Sequence, residues 1–478
     1  MVKSSSAKKE ISQEGQTGRG RWLVVVVVSL AIFLDTVDVS IVNIALPNLQ
    51  HDLHLSTTDL QWVQGIYVLT YAGFMLLGGR AADLLGRRCI FLLGAALFGL
   101  SALAGGLAPN GGVLILTRGA QGIGAALTMP SAVSILTTTF AEGPERNKAL
   151  GIFSSIAGVG FTCGLVLGGV LTSFVSWHWI FFVNVPIALL ILLLARVVVP
   201  EGQAAADPQS YDLAGAATAT AGLLLLVYAV TQANEPGTTA VKTGGLIALA
   251  LALLLCFIFI ERRSRAPLMP FHIFQTSRLG AVCIVTFALI GAFFSFLFVC
   301  TLYLQDVLHY SPIAASLAML PSSVISILTT RFLAPWLMNR FGMRSSCVLG
   351  MLSLLAGVAL FLRIGANADF VGVILPSTIL AQIGMAICVP TTSVAAVIGI
   401  EQTEQGLAAG LSGALGQAGG GILLAVTAAV VTVGTTSALR SASALSTQAQ
   451  LSGYHAGLLV IVACAALGAL VALFRMQK

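Results

Sequence analysis

The sequence predicts an all-α membrane protein, a polytopic helical bundle built from two six-helix repeats with an inserted helix pair. Its 478 residues are 57% hydrophobic and only 9% charged, whereas soluble domains carry roughly 25% charged residues. Apolar runs of about 20 residues, the length that crosses a ~30 Å hydrocarbon core, follow one another almost end to end. No stretch is polar enough to form a separate soluble domain, so the function is expected to reside within the helices.

Fourteen such runs predict fourteen membrane spans. They lie near 22–47, 60–79, 89–107, 113–137, 149–172, 178–199, 211–232, 244–261, 279–304, 313–334, 345–364, 370–398, 407–434 and 455–474. The polar residues 1–21 before them form a predicted tail. The first span is too long and too acidic for a signal peptide, so we expect it to be retained. An even number of spans puts both termini on one side of the membrane.

Basic residues in the loops orient these spans. Twenty Lys and Arg residues fall on the side of the N-terminus, against Lys242, Arg363 and Arg440 on the opposite side. Because loops rich in Lys and Arg stay in the cytoplasm, both termini are predicted to be cytoplasmic, in the inner or plasma membrane. The net charge of +6 is explained by this asymmetry, and it indicates a lipid bilayer and no nucleic acid as partner.

Two polar joints divide the spans into six, two and six. Residues 200–212 follow span 6, and the basic, proline-containing residues 261–278 follow span 8. The predicted units are therefore a six-helix bundle at 22–199, a linker with spans 7 and 8 at 200–278, and a second bundle at 279–478. Transporters built from structural repeats have this arrangement, with the binding site near the midplane between the halves.

Asp35 and Asp38 lie inside the first apolar run, where an ionised carboxylate is costly unless it is paired, hydrated or protonated. Their spacing of three places them on one helix face. Two like charges this close disfavour joint ionisation, so the pair is able to take up and release a proton. The alternative is that one of them only bonds a neighbouring helix. Arg118, inside span 4, carries the same cost and needs water or a carboxylate beside it.

Several motifs resemble those of one family. The loop GGRAADLLGRR at 78–88 is similar to the signature loop of the major facilitator superfamily. DVSIVNIALP at 38–47, LQWVQGIYVL at 60–69 and LTRGAQGIGAAL at 116–127 resemble the signatures of helices 1, 2 and 4 in its fourteen-span drug:proton antiporter group. The segments at 303–321 and 406–421 are also similar to that group. The resemblance covers nearly the whole chain.

The resemblance implies roles for several residues. The signature loop is expected to act as a conformational latch through Gly79, Arg80, Asp83, Gly86, Arg87 and Arg88. Gly79 and Gly86 would permit a tight turn, and Asp83 would satisfy a helix N-terminus of the opposing half. The alternative is that these arginines only set topology. Asp38 matches the first-helix signature, so it is expected to be indispensable, whereas the resemblance supplies no role for Asp35.

The glycines of GLVLGG at 164–169 form the expected helix-packing motif, namely Gly164, Gly168 and Gly169. Small residues allow close helix contact, with or without a role in coupling. The family motif has a proline where this chain has Leu165, which weakens the antiport inference. Two further departures are His178, where an arginine is common, and Asn339, where the counterpart of the signature loop would have an aspartate.

The fold that the resemblance implies places span 4 beside span 1, where Asp35 or Asp38 would pair with Arg118. Candidate residues for a polar cavity in the same half are Asn43, Gln64, Tyr67 and Gln121. Any one of them is as well suited to bridge helices as to contact cargo. These expectations place the cavity near the charged residues.

The predicted function is proton-coupled efflux of small amphipathic or apolar compounds such as drugs, antibiotics or toxic metabolites, by alternating access. Its partners would be small-molecule cargo and protons. No cofactor is expected, and the sequence does not identify an accessory protein. One alternative is a metabolite transporter of the same fold. A membrane enzyme is disfavoured, because the six histidines and eight cysteines show no catalytic or metal-ligand spacing.

Overall fold

The computed structural model describes residues 18–140, 143–201, 213–232, 240–264, 278–400, 405–441 and 446–476, and the side chains of some helix residues, Asp83 among them, lie outside this description. Every regular element in the described part is a helix. The all-α prediction is therefore confirmed. The fourteen helices described below are numbered α1 to α14 and correspond to the fourteen predicted spans.

The first six helices form the N-terminal bundle. They are α1 (Gly18–Leu53), α2 (Thr57–Leu85), α3 (Arg87–Gly106), α4 (Gly111–Thr139), α5 (Pro144–Phe174) and α6 (Asn184–Val198), the last preceded by one helical turn at Trp179–Phe182. The first of these begins inside the predicted tail 1–21, because Arg21 is anchored: its Nη2 donates to the Thr139 carbonyl at 3.0 Å. Residues 1–17 of the tail lie outside the described part.

The remaining helices are α7 (Leu213–Gln232), α8 (Ala240–Arg263), α9 (Leu279–Leu302), α10 (Pro312–Leu328), α11 (Ala334–Phe361), α12 (Leu375–Ala395), α13 (Gln405–Ser441) and α14 (Ser446–Arg475). Single π-helical turns at Tyr303–Val307, Thr329–Leu333 and Phe370–Ile374 extend α9, join α10 to α11 and precede α12. The predicted unit boundaries at 199/200 and 278/279 stay predictions, since the joints 202–212 and 265–277 are outside the described residues.

Among the described residues, ten helices are long and apolar enough to cross a membrane. The number is below fourteen for three reasons. The run 312–361 contains two predicted spans, α7 has only a short apolar segment at 217–230, and the polar helices α2 and α4 are not among the ten. The chain is a multi-spanning membrane protein, and the count of fourteen crossings stays a prediction.

Two turns of the same construction show the internal repeat. The turn between α1 and α2 contains His54 with φ 52°, and the turn between α9 and α10 contains His309 with φ 54°. Two residues after each histidine, Ser56 and Ser311 cap the following helix by accepting a backbone N–H three residues on. Histidine adopts a positive φ more readily than most residues. We call the end of the bundle that holds these turns the distal end.

Glycines with positive φ repeat at the opposite end, which we call the proximal end. Gly86 (φ 98°) separates α2 from α3, and Gly342 (φ 78°) breaks α11 at the corresponding place in the second half. Gly143 and Gly399 likewise follow α4 and α12 with positive φ. A left-handed backbone favours glycine, which has no Cβ. Turns of matching construction therefore occur on both sides of α7 and α8 in the chain.

The two bundles are joined near the distal end. Thr301 of α9 donates to the Asn43 side chain of α1, and Gln305 Nε2 donates to the Ile44 carbonyl at 2.9 Å. Pro47 lies inside α1, and because it has no N–H it leaves a backbone carbonyl one turn earlier without its usual helical partner. The carbonyl concerned is that of Asn43, next to the Ile44 carbonyl that Gln305 binds. We call the contacts of Asn43 and Ile44 with Thr301 and Gln305 the distal junction.

Helix α7 lies across the boundary between the bundles, on the side of α2 and α13. Leu69 of α2, Val227 of α7 and Ala425 of α13 form one buried apolar cluster. The approach of α7 to α2 is close, since a Cβ built on Gly73 would lie 2.4 Å from Thr220 Oγ1. The inserted pair therefore contacts both bundles through α7, while α8 packs on α7.

Candidate functional site

A buried ion pair joins α1 and α4 within the N-terminal bundle. Arg118 Nη1 donates to Asp38 Oδ2 at 2.5 Å, and the side chains of the two residues are 1% and 0% exposed. Arg118 Nε donates to the Val63 carbonyl of α2 at 3.1 Å, and the guanidinium lies 4.4 Å from the ring centroid of Tyr67. The expected partner of Arg118 is therefore Asp38, and a cation–π contact adds to the pairing.

Two further amides complete the environment of Asp38. Gln121 Nε2 donates to Asp38 Oδ1 at 2.7 Å, while Gln121 Oε1 accepts from Arg118 Nη1 at 2.7 Å. Asn184 of α6 donates to the same Asp38 oxygen at 2.8 Å. Asn184 is not among the candidate residues predicted from the sequence, although an asparagine inside an apolar span is an available signal. Two amide donors and the guanidinium thus supply hydrogen bonds to both oxygens of the Asp38 carboxylate.

Asp35 has a different environment one helical turn earlier. Its carboxylate accepts a hydrogen bond from the Tyr67 hydroxyl, and the residue is half-buried. A cavity of about 10 Å³ lies against it, lined mainly by apolar side chains that include Ala31, Phe98 and Met129. This volume is about that needed for one water. Of the two carboxylates, Asp35 is the one that can change its proton occupancy without breaking the ion pair.

Tyr67 connects the two carboxylates. Its hydroxyl bonds Asp35, and its ring contacts the guanidinium that neutralises Asp38. The ring is held edge-on against Tyr71 and Phe98, at centroid distances of 6.1 and 6.5 Å. Tyr67 therefore contacts Asp35 and the partner of Asp38 at the same time.

The glycines of α5 lie against α1 and α10. A Cβ on Gly164 would lie 2.0 Å from Ser40 Oγ, and one on Gly168 would lie 3.1 Å from the Ile41 carbonyl. A Cβ on Gly169 would lie 2.3 Å from Ser316 Oγ of the opposite bundle. The helix-packing motif thus holds α5 against the helix that carries Asp35 and Asp38, and Leu165 between these glycines is fully buried.

Most of the signature-like motif at 78–88 is helical, and the loop itself is confined to the turn at Gly86. Gly79 lies inside α2, which continues to Leu85, so the tight turn is made by Gly86 alone and not by both glycines. Arg80 and Arg87 are half-buried. The side chain of Asp83 lies outside the described part of the structure.

Arg88 bonds its own bundle. Its Nη2 donates to the Arg196 carbonyl near the end of α6 at 2.6 Å, and its Nη1 lies 3.2 Å from the Glu201 carboxylate. Glu201 is 85% exposed, so this ion pair contributes little stability. In this structure Arg88 ties α3 to α6 at the proximal end.

The structure divides the four candidate cavity residues. Tyr67 and Gln121 contact the charged residues of α1 and α4. We call the charge cluster the set of Asp35, Asp38, Arg118, Tyr67, Gln121 and Asn184. Asn43 bonds Thr301 of the opposite bundle. Gln64 is 3% exposed, and neither its amide oxygen nor its amide nitrogen has a hydrogen-bond partner among the described residues. Two of the four candidates therefore contact the charged residues and one joins the bundles, while Gln64 has no hydrogen bond to a described residue.

Comparison with known proteins gives a family and a set of relatives. A model described as Major Facilitator Superfamily matches residues 28–425. The chain is 36% identical to the puromycin resistance protein of Streptomyces alboniger over 448 residues, which are 93% of this chain and 88% of that protein. It is 36% identical to a cephamycin export protein of Amycolatopsis lactamdurans over 407 residues, 85% of this chain and 84% of the relative.

A further relative and a solved structure are also transport proteins. The tetracenomycin C resistance and export protein of Streptomyces glaucescens is 31% identical over 85% of this chain and 77% of its own length. The inward-facing, unoccupied structure of a bacterial homolog to the human lysosomal transporter Spinster has a TM-score of 0.66, with 16% identity over 96% of this chain and 98% of that chain. At that identity the likeness concerns the fold.

Proposed function

This chain belongs to the major facilitator superfamily, and from that premise we propose that it exports small amphipathic or apolar compounds in exchange for protons. As a member of that family it is an integral membrane transporter of small molecules and not an enzyme. The relatives named for resistance to puromycin and for export of cephamycin support the outward direction of transport. The proton coupling rests on the charge cluster in the N-terminal bundle.

The observation that carries the proton coupling is the contrast between the two carboxylates of α1. Asp38 is bonded to Arg118 and two amides, so it is suited to serve as the counter-ion of Arg118. Asp35 is bonded to the Tyr67 hydroxyl beside a small cavity. We therefore assign proton exchange primarily to Asp35, with Asp38 and Arg118 as the charge pair that responds to it.

Alternating access supplies the transport step. The positive-inside rule makes the proximal end cytoplasmic and the distal end extracellular. The distal junction formed by Asn43, Ile44, Thr301 and Gln305 holds the extracellular side together. Opening toward the outside requires these contacts to break, and a shift of charge on α1 is suited to bias that step because α1 carries both the carboxylates and the junction.

The signature-like loop would act at the proximal end. Gly86 supplies its left-handed turn, and Arg88 anchors it to α6. A loop fixed to its own bundle can present Asp83 to the opposing bundle as a latch, which would favour the state closed to the cytoplasm. Arg80 and Arg87 are assigned to the same loop by the motif.

The available energy is sufficient for export. One charge moving through 100 mV releases about 2.3 kcal/mol, and one pH unit adds about 1.4 kcal/mol. Inward movement of one proton therefore supports a cargo gradient of roughly a few hundredfold.

The direct test uses inverted membrane vesicles that contain the full chain. Accumulation of puromycin in the lumen should depend on an imposed acidic interior and should collapse when a protonophore dissipates the gradient. Vesicles with an Asp35→Asn, Asp38→Asn double variant serve as the matched control. Gradient-driven uptake of puromycin by the double variant at the wild-type rate would refute the assignment of coupling to these residues.

A second candidate is an exporter dedicated to one compound. Two relatives are named for export of single compounds, cephamycin and tetracenomycin C, and this chain has Leu165 in place of the antiporter motif's proline. Deleting the gene and measuring sensitivity to a panel of unrelated compounds separates the two possibilities. Sensitisation to one chemical class would support dedication, and sensitisation to several classes would support broad efflux.

A further inference from the structure

Two glutamines on one face of α2 are buried without hydrogen-bond partners. Gln61 and Gln64 are 1% and 3% exposed, and all four amide oxygen and nitrogen atoms lack a partner among the described residues. Nearly all buried polar side-chain atoms in native proteins are hydrogen-bonded, so each exception needs a physical explanation. Two neighbouring residues with both ends of the amide unpaired form the densest group of such exceptions in the N-terminal bundle.

Gln61 faces the C-terminal bundle. It lies one helical turn before Gly65, and residues four apart share a helix face. A Cβ built on Gly65 would lie 3.7 Å from Gln61 Nε2 and 4.0 Å from Leu424 of α13. The Gln61 amide is therefore beside the contact between α2 and α13, which is the boundary between the two bundles.

Gln64 lies between this boundary and α1. Its neighbour four residues on, Val68, contacts α13, since a Cβ on Gly420 would lie 3.0 Å from the valine Cγ1. Its neighbour three residues on, Tyr67, bonds Asp35 of α1. A side chain at position 64 falls between these two directions around the helix axis, so it is directed between α1 and α13.

The amides are next to both parts of the proposed mechanism. The carbonyl of Val63, the residue before Gln64, accepts a hydrogen bond from Arg118 Nε. On α1, the Asn43 side-chain oxygen accepts a hydrogen bond from Thr301 across the boundary, while the Asn43 Nδ2 has no partner among the described residues. Unpaired amide groups thus occur on both α1 and α2, beside residues that bond Arg118 and the opposite bundle.

We infer that Gln61 and Gln64 form the hydrogen-bonding subsite for cargo, and that the cargo class is uncharged groups that carry carbonyl, hydroxyl or amide functions. A primary amide donates through its nitrogen and accepts through its oxygen. Two such amides can therefore bond both hydrogen-bond donors and hydrogen-bond acceptors of the cargo. The apolar helix faces around them would hold the remainder of an amphipathic compound. This inference rests on the proposed export function and specifies its substrate.

The test compares transport by the full chain carrying Gln61→Leu, Gln64→Leu or both. Leucine keeps the approximate volume and removes the hydrogen-bonding atoms. The probes are puromycin and lincomycin, which are rich in hydroxyl and amide groups, and tetraphenylphosphonium, which has none. Gln382→Leu, a change of another buried glutamine on α12, is the matched control.

For each single variant the KM for the antibiotics should rise about two- to tenfold, the effect of one hydrogen bond, while the KM for tetraphenylphosphonium changes less than twofold. The thermal stability of the protein without cargo should stay the same or rise, because unpaired buried amides are removed. The control should retain the wild-type KM for all three probes.

Three results would overturn the inference. An unchanged antibiotic KM in the double variant would mean that the amides bond only water. A fall in melting temperature together with a fall in kcat, at constant KM, would indicate a structural role. A wild-type chain that exports tetraphenylphosphonium but neither antibiotic would leave the exporter proposal standing and refute the subsite. Failure of the wild type to export any probe under a pH gradient would instead refute the proposed function.

Discussion

At the residue scale, Asp35 and Asp38 are three positions apart in sequence but differ in what holds them. Asp38 neutralises a fully buried arginine, and removing one partner of a buried ion pair leaves an uncompensated charge that costs about 3–5 kcal/mol. Asp35 bonds the neutral Tyr67 hydroxyl, so replacing Asp35 does not leave a buried charge unpaired. Substituting each by asparagine should therefore produce different defects.

We expect Asp35→Asn to insert and to keep the wild-type melting temperature, yet to lose pH-gradient-driven export while downhill movement of cargo continues. Asp38→Asn should lose export and melt at a lower temperature, because Arg118 becomes unpaired. Melting curves in detergent and uptake in inverted vesicles measure both effects. Full gradient-driven export by Asp35→Asn would return the coupling role to Asp38, as the first-helix motif alone implies.

Also at this scale, Arg118 combines three contacts that need a planar guanidinium: the Asp38 carboxylate, the Val63 carbonyl and the Tyr67 ring. Lysine keeps the charge but not the directed set of donors. Arg118→Lys is expected to fold and to lose most proton-driven transport. Transport at the wild-type rate by the lysine variant would show that only the positive charge matters at this position.

At the element scale, the packing of α5 on α1 depends on the absence of a Cβ. We expect Gly164→Ala to destabilise the protein by about 1–3 kcal/mol, the usual effect of overpacking, because the new methyl would meet Ser40 Oγ at 2.0 Å and the Val37 carbonyl at 2.5 Å. Gly151→Ala on the same helix is the control, since nothing lies within 4 Å of its Cβ position. Equal melting temperatures for the two variants would show that α5 can move away from α1 without loss.

At the scale of the whole molecule, the distal junction holds two bundles that must separate during transport. Gln305→Leu removes the bond to the Ile44 carbonyl, worth about 1 kcal/mol, and should raise the population open at the distal end about fivefold. Distances between spin labels on the distal ends of α1 and α9 report this shift. The control is Gln450→Leu on α14, a half-buried glutamine. An unchanged distance distribution would remove Gln305 from the junction.

The orientation of the whole molecule is tested separately. Labelling of introduced cysteines should place residues 80–88 and 261–278 and both termini in the cytoplasm, and residues 232–243 and 435–454 outside. This follows from the excess of basic residues at the proximal end. Labelling of 261–278 from the outside would contradict the fourteen-span topology.

The helical membrane fold, the positions of the helices and the family could all be predicted from the amino-acid sequence. Hydropathy is a property of neighbouring residues along the chain, and helices in lipid satisfy their own backbone groups, so apolar length alone indicates a span. The glycine at position 86 was likewise predictable as a turn, because left-handed backbone favours glycine. Asp35, Asp38 and Arg118 were recognisable as special because charge is rare inside apolar runs.

The connections among those residues could not be predicted and became visible in the packed helices. The Asp38–Arg118 pair joins residues 80 positions apart, and the Asn184–Asp38 bond joins residues 146 apart. The unpaired amides of Gln61 and Gln64 and the distal junction through Gln305 also became apparent only after the helices were packed. Hydrogen bonding between helices depends on their rotation about their own axes and on their relative depth, and neither is encoded in the local hydrophobic pattern.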